Sequence, residues 1–222
     1  MAETNGHNDS VREVAEAYDR EAAATGWAGP ELVFGMAAEY IRPGQSILDI
    51  GIGTGLGAAP FREAGLIVHG MDVSREMFDA CRAKGFTELT MHDLTEAPYP
   101  YGAKSVDHAI CIGVLQFFRD PSIVFEEVAR LLRSGGMFAV VVGDRSEDEA
   151  PEFLVDAATT GAVRPATMYR HSAQQIDEWA KASGLLPRRS LPFTVFMDRD
   201  RTRGFPARCD LVRKANGTKS EA

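Results

Sequence analysis

Short apolar runs bounded by glycine, proline or an acid alternate along the chain with segments whose apolar residues return every three or four positions. The runs read as buried strands and the periodic segments as amphipathic helices. Ile47-Leu48-Asp49-Ile50 is the clearest strand, and the glycines at 51, 53, 55 and 57 forbid its continuation. Residues 58–64 can open a helix directly behind that turn. A second strand over 66–74 carries Asp72, and Ser74 is the N-cap of a helix over 75–83. A third strand spans 88–94 with Asp93 near its end, a fourth 106–113, and a fifth 137–142. Between the last two, Asp120 as N-cap and Pro121 as first helical residue open a helix striped by Val124, Phe125, Val128, Leu131 and Leu132.

The flanks follow the same grammar. Ser10 and Glu13 form a capping box for a helix ending near Gly26, and Gly29-Pro30 starts a second helix. Beyond the fifth strand, 143–151 is an acidic loop and 152–158 reads as a short inserted helix. Ser172 and Gln175 form another capping box, opening a helix that runs to Gly184. Residues 193–197 and 207–213 read as a closing antiparallel pair. Repeated strand–helix order means a parallel sheet. The expected fold is α/β: a Rossmann-like, seven-stranded, mostly parallel sheet with helices on both faces and a helical N-terminal cap. Residues 10–214 form the single expected domain, with a disordered tail at 1–9 and a polar tail at 215–222.

With 222 residues the chain can bury one sizeable core. Lys+Arg 24 against Asp+Glu 32 gives −8, which disfavours a broad nucleic-acid footprint. No apolar run reaches membrane-spanning length, and the opening residues are too polar for a signal peptide. Cys81, Cys111 and Cys209 are odd in number and lack metal-ligand spacing. They read as buried thiols in a cytoplasmic protein without a metal.

A glycine turn between strand and helix lets backbone N–H groups approach a ligand closely, as at nucleotide sites. Gly53-Thr54-Gly55-Leu56-Gly57-Ala58 also fits the dinucleotide pattern, so the turn alone separates no cofactor from another. Asp72 at a strand end can accept hydrogen bonds from two ribose hydroxyls, a need shared by NAD and S-adenosylmethionine. A sulfonium cation without a phosphate tolerates Asp49 beside the turn, whereas a pyrophosphate would not.

The whole phrase Leu48-Asp49-Ile50-Gly51-Ile52-Gly53-Thr54-Gly55 resembles the first motif of the class I S-adenosylmethionine-dependent methyltransferases of small-molecule type. Residues 106–121, an apolar strand with Gly113 leading into Asp120-Pro121, are similar to that family's fourth-strand segment. The resemblance covers roughly 18–144. It implies S-adenosyl-L-methionine as cofactor, held by Asp49, Gly51, Gly53, Gly55, Asp72, Val73, Asp93, Leu94 and Gly113. Asp93 would take the adenine amino group and Leu94 would donate its backbone N–H to the ring. Gly113 would let the methionine tail pass, with Gln116 and Phe117 on the acceptor side. A Tyr-Asp pair on a pre-core helix folds over the cofactor in such enzymes. Tyr18-Asp19 stands at the matching place, with Trp27 a candidate for the same lid. Both aromatic residues could equally be a packing face.

The expected activity is methyl transfer to a small-molecule acceptor by in-line displacement, with no nucleic-acid or membrane partner and with oligomeric state left open. His171 is the leading candidate base, with Tyr169 and His108 behind it; His171 could equally serve only as a neighbour of the N-cap Ser172. Two other classes stay open. An NAD(P)-dependent oxidoreductase would share the turn and Asp72 but gives Asp93 no role, and a non-catalytic S-adenosylmethionine-binding subunit would keep all three acids.

Overall fold

A computed structural model of the chain describes residues 16–146, 148–155, 166–198 and 200–216. Helix α1 covers residues 16–25, and α2 is Gly29–Ala37 with Pro30 in its first turn. Next come β1 Ser46–Ile50, α3 Ala59–Glu63, β2 Ile67–Asp72, α4 Arg75–Ala83, β3 Glu88–Met91 and β4 His108–Ile112. A 3-10 turn at Leu115–Phe117 leads to α5 Ser122–Leu131 and β5 Met137–Gly143. The chain closes with β6 Glu152–Val155, β7 Ala166–Tyr169, α6 Ala173–Ala182, β8 Leu185–Met197 and β9 Gly204–Lys214.

Seven strands form one sheet in the order β3-β2-β1-β4-β5-β9-β8. The first five pair in parallel, and β9 and β8 close it antiparallel. Strands buried on both faces need apolar residues at every position, with alternate side chains serving opposite cores. In β5, Met137, Ala139 and Val141 enter one core, and Phe138, Val140 and Val142 the other. Helices α2, α3 and α4 cover the first core through Val33, Phe61 and Phe78; α5 and α6 cover the second through Val128 and Ile176. The chain leaves β1 first towards β2 and later returns to β4 on its other side. That reversal opens a crevice at the carboxyl ends of the two strands.

Some boundaries differ from the sequence reading. Glu152–Val155, expected as a helix, is a strand paired antiparallel with β7. Four alternating residues cannot build a helix face, and a partner strand satisfies their backbone groups. Asp120, expected as the N-cap, lies one residue before it: Asp120 Oδ1 accepts the Ser122 N–H at 2.9 Å, Pro121 is the N-cap, and α5 starts one residue later than expected. Strand β8 runs eight residues further upstream than expected, from Leu185 rather than residue 193, through Pro187 and Pro192. Proline is tolerated there because β8 is the sheet edge, and irregularities lie between Pro187 and Arg189 and between Thr194 and Phe196. The Ser10 capping box and most of the expected tails lie outside the described residues. No described helix is long and apolar enough to cross a membrane.

Candidate functional site

The turn after β1 is held from three sides. Gly51 and Ile52 donate their N–H groups to the Met71 carbonyl, at 2.7 and 3.1 Å. Gly53 donates to Asp72 Oδ2 at 2.9 Å, while Asp72 Oδ1 accepts from Ser74 N–H at 2.9 Å. From α4, the Cys81 thiol donates to the Gly53 carbonyl at 3.1 Å. Burial pushes that thiol up to about 12, so it keeps its proton. Gly51 and Gly55 take φ +73 and +87, and a Cβ on them would meet Val114 at 2.4 Å and Phe86 at 2.5 Å. Gly53 differs: at φ +54, a Cβ there would meet nothing within 4 Å.

A cavity of about 220 Å³ lies over this turn, at the carboxyl ends of β1, β2 and β4. Tyr18 and Trp27 line it, together with Asp49, Gly53, Thr54 and Asp72 of the turn and strand ends and Gly113, Val114 and Phe117 after β4. No Lys or Arg is among the described residues lining it. Asp49 is 2% exposed and its Oδ2 has no hydrogen-bond partner. Desolvation, then the nearby charge of Asp72, pushes its carboxyl up to about 8. A buried, unpartnered carboxyl oxygen beside a pocket is costly unless a ligand donor or cation meets it.

Tyr18 belongs to the cavity although 48% of the residue is exposed. Its phenol is raised by desolvation and then by the carboxylates of Asp19, Asp49 and Asp72, so the hydroxyl stays protonated at neutral pH. Of the expected site residues, the structure thus gathers Tyr18, Asp49, Gly51, Gly53, Asp72 and Gly113. Gly55, Val73, Asp93 and Leu94 stand outside that lining. The third strand, expected over 88–94, stops at Met91, so Asp93 lies two residues beyond it; it accepts from the Thr95 N–H and hydroxyl, both at 2.8 Å, and these bonds hold its carboxyl below the usual range. Leu94 is buried in the second core, and Val73 is exposed.

The structure does not bring His171 to the cavity. It is 1% exposed, its Nε2 lies 3.1 Å from the Leu115 carbonyl, and its ring packs edge-on against Trp179 at 5.2 Å. Burial lowers its pKa. The capped start of α6 therefore fixes a core residue, because the α6 face that covers the sheet includes Trp179. His108 opens β4, at the strand end away from the cavity, where Nε2 meets Gln45 Oε1 at 3.0 Å. Tyr169 lies in β7, with the Arg119 guanidinium 5.6 Å from its ring. Sequence reasoning placed Asp19 beside Tyr18 but missed its partners Thr54 and Lys84, which join α1 to the turn. Their separations of 30 and 35 residues leave no periodic signal.

Residues 48–140 match the protein family described as a methyltransferase domain. With the strand order and glycine turn, that match makes residues 48–140 similar to the class I S-adenosylmethionine-dependent methyltransferases. Among similar chains, the methyltransferase GfsG of Streptomyces halstedii is 34% identical over 133 residues, 56% of this chain and 48% of that one. The malonyl-[acyl-carrier protein] O-methyltransferase of Serratia marcescens is 30% identical over 59% of this chain and 53% of its own. The matches thus span about half the length of these two relatives. Among solved structures, the 1,6-didemethyltoxoflavin-N1-methyltransferase of Burkholderia thailandensis, with that compound and S-adenosylhomocysteine bound, superposes with a TM-score of 0.65. At 21% identity over 96% of this chain and 87% of that one, it shares the fold.

Proposed function

We propose that the protein transfers the methyl group of S-adenosyl-L-methionine to a small-molecule acceptor. The observation that carries this reading is Asp49, a buried carboxyl with one oxygen unpartnered at the floor of the cavity. A ligand with a positive group satisfies that oxygen, while a pyrophosphate would face Asp49 and Asp72 with no Lys or Arg in the described lining. The residues therefore fit S-adenosylmethionine better than a nicotinamide dinucleotide. When bound, this cofactor supplies an electrophilic methyl on a sulfonium.

The chain's own residues do the rest. Asp49 would accept from the cofactor's amino group, and Asp72, already tied to the turn, has lone pairs left for the ribose hydroxyls. Gly53 leaves room for close approach of its backbone. Val73, one residue beyond β2, and Asp93, two beyond β3, would serve the adenine. Tyr18, Trp27 and Phe117 exclude water and orient an apolar acceptor, so catalysis is chiefly positioning. His108 and His171 lie elsewhere, and we assign neither as a base.

A thermal-shift screen of small acceptors with S-adenosylhomocysteine present, followed by methyl-transfer assays on the hits, tests the reading. An acceptor that stabilises the complex and is methylated is the expected result. Hits that bind but are never methylated would favour the non-catalytic subunit.

A further inference from the structure

Asp19 follows the cavity-lining Tyr18 on α1 and is held at both oxygens. Thr54, 1% exposed within the glycine turn, donates its hydroxyl to Asp19 Oδ1 at 2.6 Å. The Lys84 ammonium at the end of α4 reaches Asp19 Oδ2 at 2.5 Å, and also donates to the Thr54 carbonyl at 2.9 Å. Three elements distant in sequence therefore meet at one carboxylate. Thr54 itself lines the cavity, whereas Asp19 and Lys84 do not, so the Lys84–Asp19 pair can be removed without altering a cavity-lining side chain. Both ion-pair side chains keep partial exposure, 33% for Lys84 and 27% for Asp19, so salt screens the pair while the buried Thr54 bond persists.

We propose that Asp19 is a positioning residue whose contacts with Thr54 and Lys84 latch α1 and Tyr18 over the cavity and set the rate of cofactor exchange. This rests on the reading that the cavity takes S-adenosylmethionine. Exchange of a ligand in a cavity lined by Tyr18 requires α1 to move outward, and the latch is what that motion breaks. Closure then needs no change in the sheet. Residence time, more than equilibrium affinity, is the quantity the latch controls, because docked α1 slows entry and exit together.

Stopped-flow measurement of S-adenosylhomocysteine binding to the full chain, followed by tryptophan fluorescence through Trp27, tests this in the wild type, Lys84→Met, Asp19→Asn and the double variant. Lys84→Met should raise the dissociation rate about fivefold or more, the scale of one partly exposed ion pair. Association should also quicken, so the dissociation constant changes less than the rate. The double variant should match the faster single variant, and salt should speed dissociation from the wild type but not from Lys84→Met. Hydrogen exchange gives a readout independent of ligand: amides of residues 16–25 should exchange faster in Lys84→Met, with β4 and β5 unchanged. Unaltered rates and unaltered α1 exchange would overturn the latch while leaving the cofactor reading intact. Failure of the wild type to bind S-adenosylhomocysteine would overturn both.

Discussion

The Gly53 N–H donates to Asp72 Oδ2 at 2.9 Å, tying the turn after β1 to the end of β2 across 19 residues. One carboxylate thus shapes the turn and presents acceptor lone pairs to the cavity. Asp72→Ala should weaken S-adenosylhomocysteine binding at least tenfold, given about 1.5–3 kcal/mol for a charge-assisted hydrogen bond. Isothermal calorimetry measures it, with circular dichroism checking that the fold survives. An unchanged dissociation constant would remove Asp72 from the ligand side of the site.

Two glycines of the turn should respond differently to a methyl group. Gly51→Ala places Cβ 2.4 Å from Val114 at a positive φ, so thermal or chemical denaturation should show a loss of about 2–4 kcal/mol. Gly53→Ala meets nothing within 4 Å and should cost only about 1–2 kcal/mol of backbone strain. Its methyl instead occupies space beside the cavity, so cofactor affinity should fall more than stability does. Equal destabilisation with normal binding in both would deny Gly53 its ligand-facing role.

The buried histidines should appear in stability rather than in binding. Desolvation lowers His108 to about 4, below the ordinary value of 6.5. Between these values the unfolded chain binds the proton and the folded chain does not. This contribution is therefore complete above about pH 6.5 and lost as pH falls towards 4, about 3 kcal/mol at most. Urea titrations between pH 4 and 7 should show that slope, flattened in His108→Gln. His171→Ala should lower stability and leave S-adenosylhomocysteine affinity unchanged; a tenfold weaker ligand would return His171 to the site.

The sheet was legible because its strands are buried on both faces, which makes 47–50, 108–112 and 137–142 almost wholly apolar. The turn was legible because only glycine takes φ +73 and +87 beside Val114 and Phe86. What escaped depends on partners rather than patterns. Glu152–Val155 becomes a strand only through β7, and Pro187 disguised an edge strand that has no outer neighbour. For the site, Asp49 and Asp72 could be placed from strand ends, but the unpartnered oxygen of Asp49 emerges only when the first core closes around it. His171 sits beside a correctly read cap, yet its exposure is decided by Trp179 and Leu115, which sequence spacing does not connect to it.

The central claim is that Asp49 meets a cationic ligand, and proton uptake or release on binding tests it most directly. Desolvation and the charge of Asp72 raise Asp49 to about 8, so the folded protein keeps this proton at pH 7. A positive ligand group favours the carboxylate, so binding should expel the proton and strengthen as pH rises towards 8. Calorimetry of S-adenosylhomocysteine at pH 7, in buffers of different ionisation enthalpy, should show release approaching one proton for the wild type and none for Asp49→Asn. NADH and NADPH should give no heat of binding. Tight nicotinamide binding with a silent S-adenosylhomocysteine titration, or equal proton release by wild type and Asp49→Asn, would contradict the account.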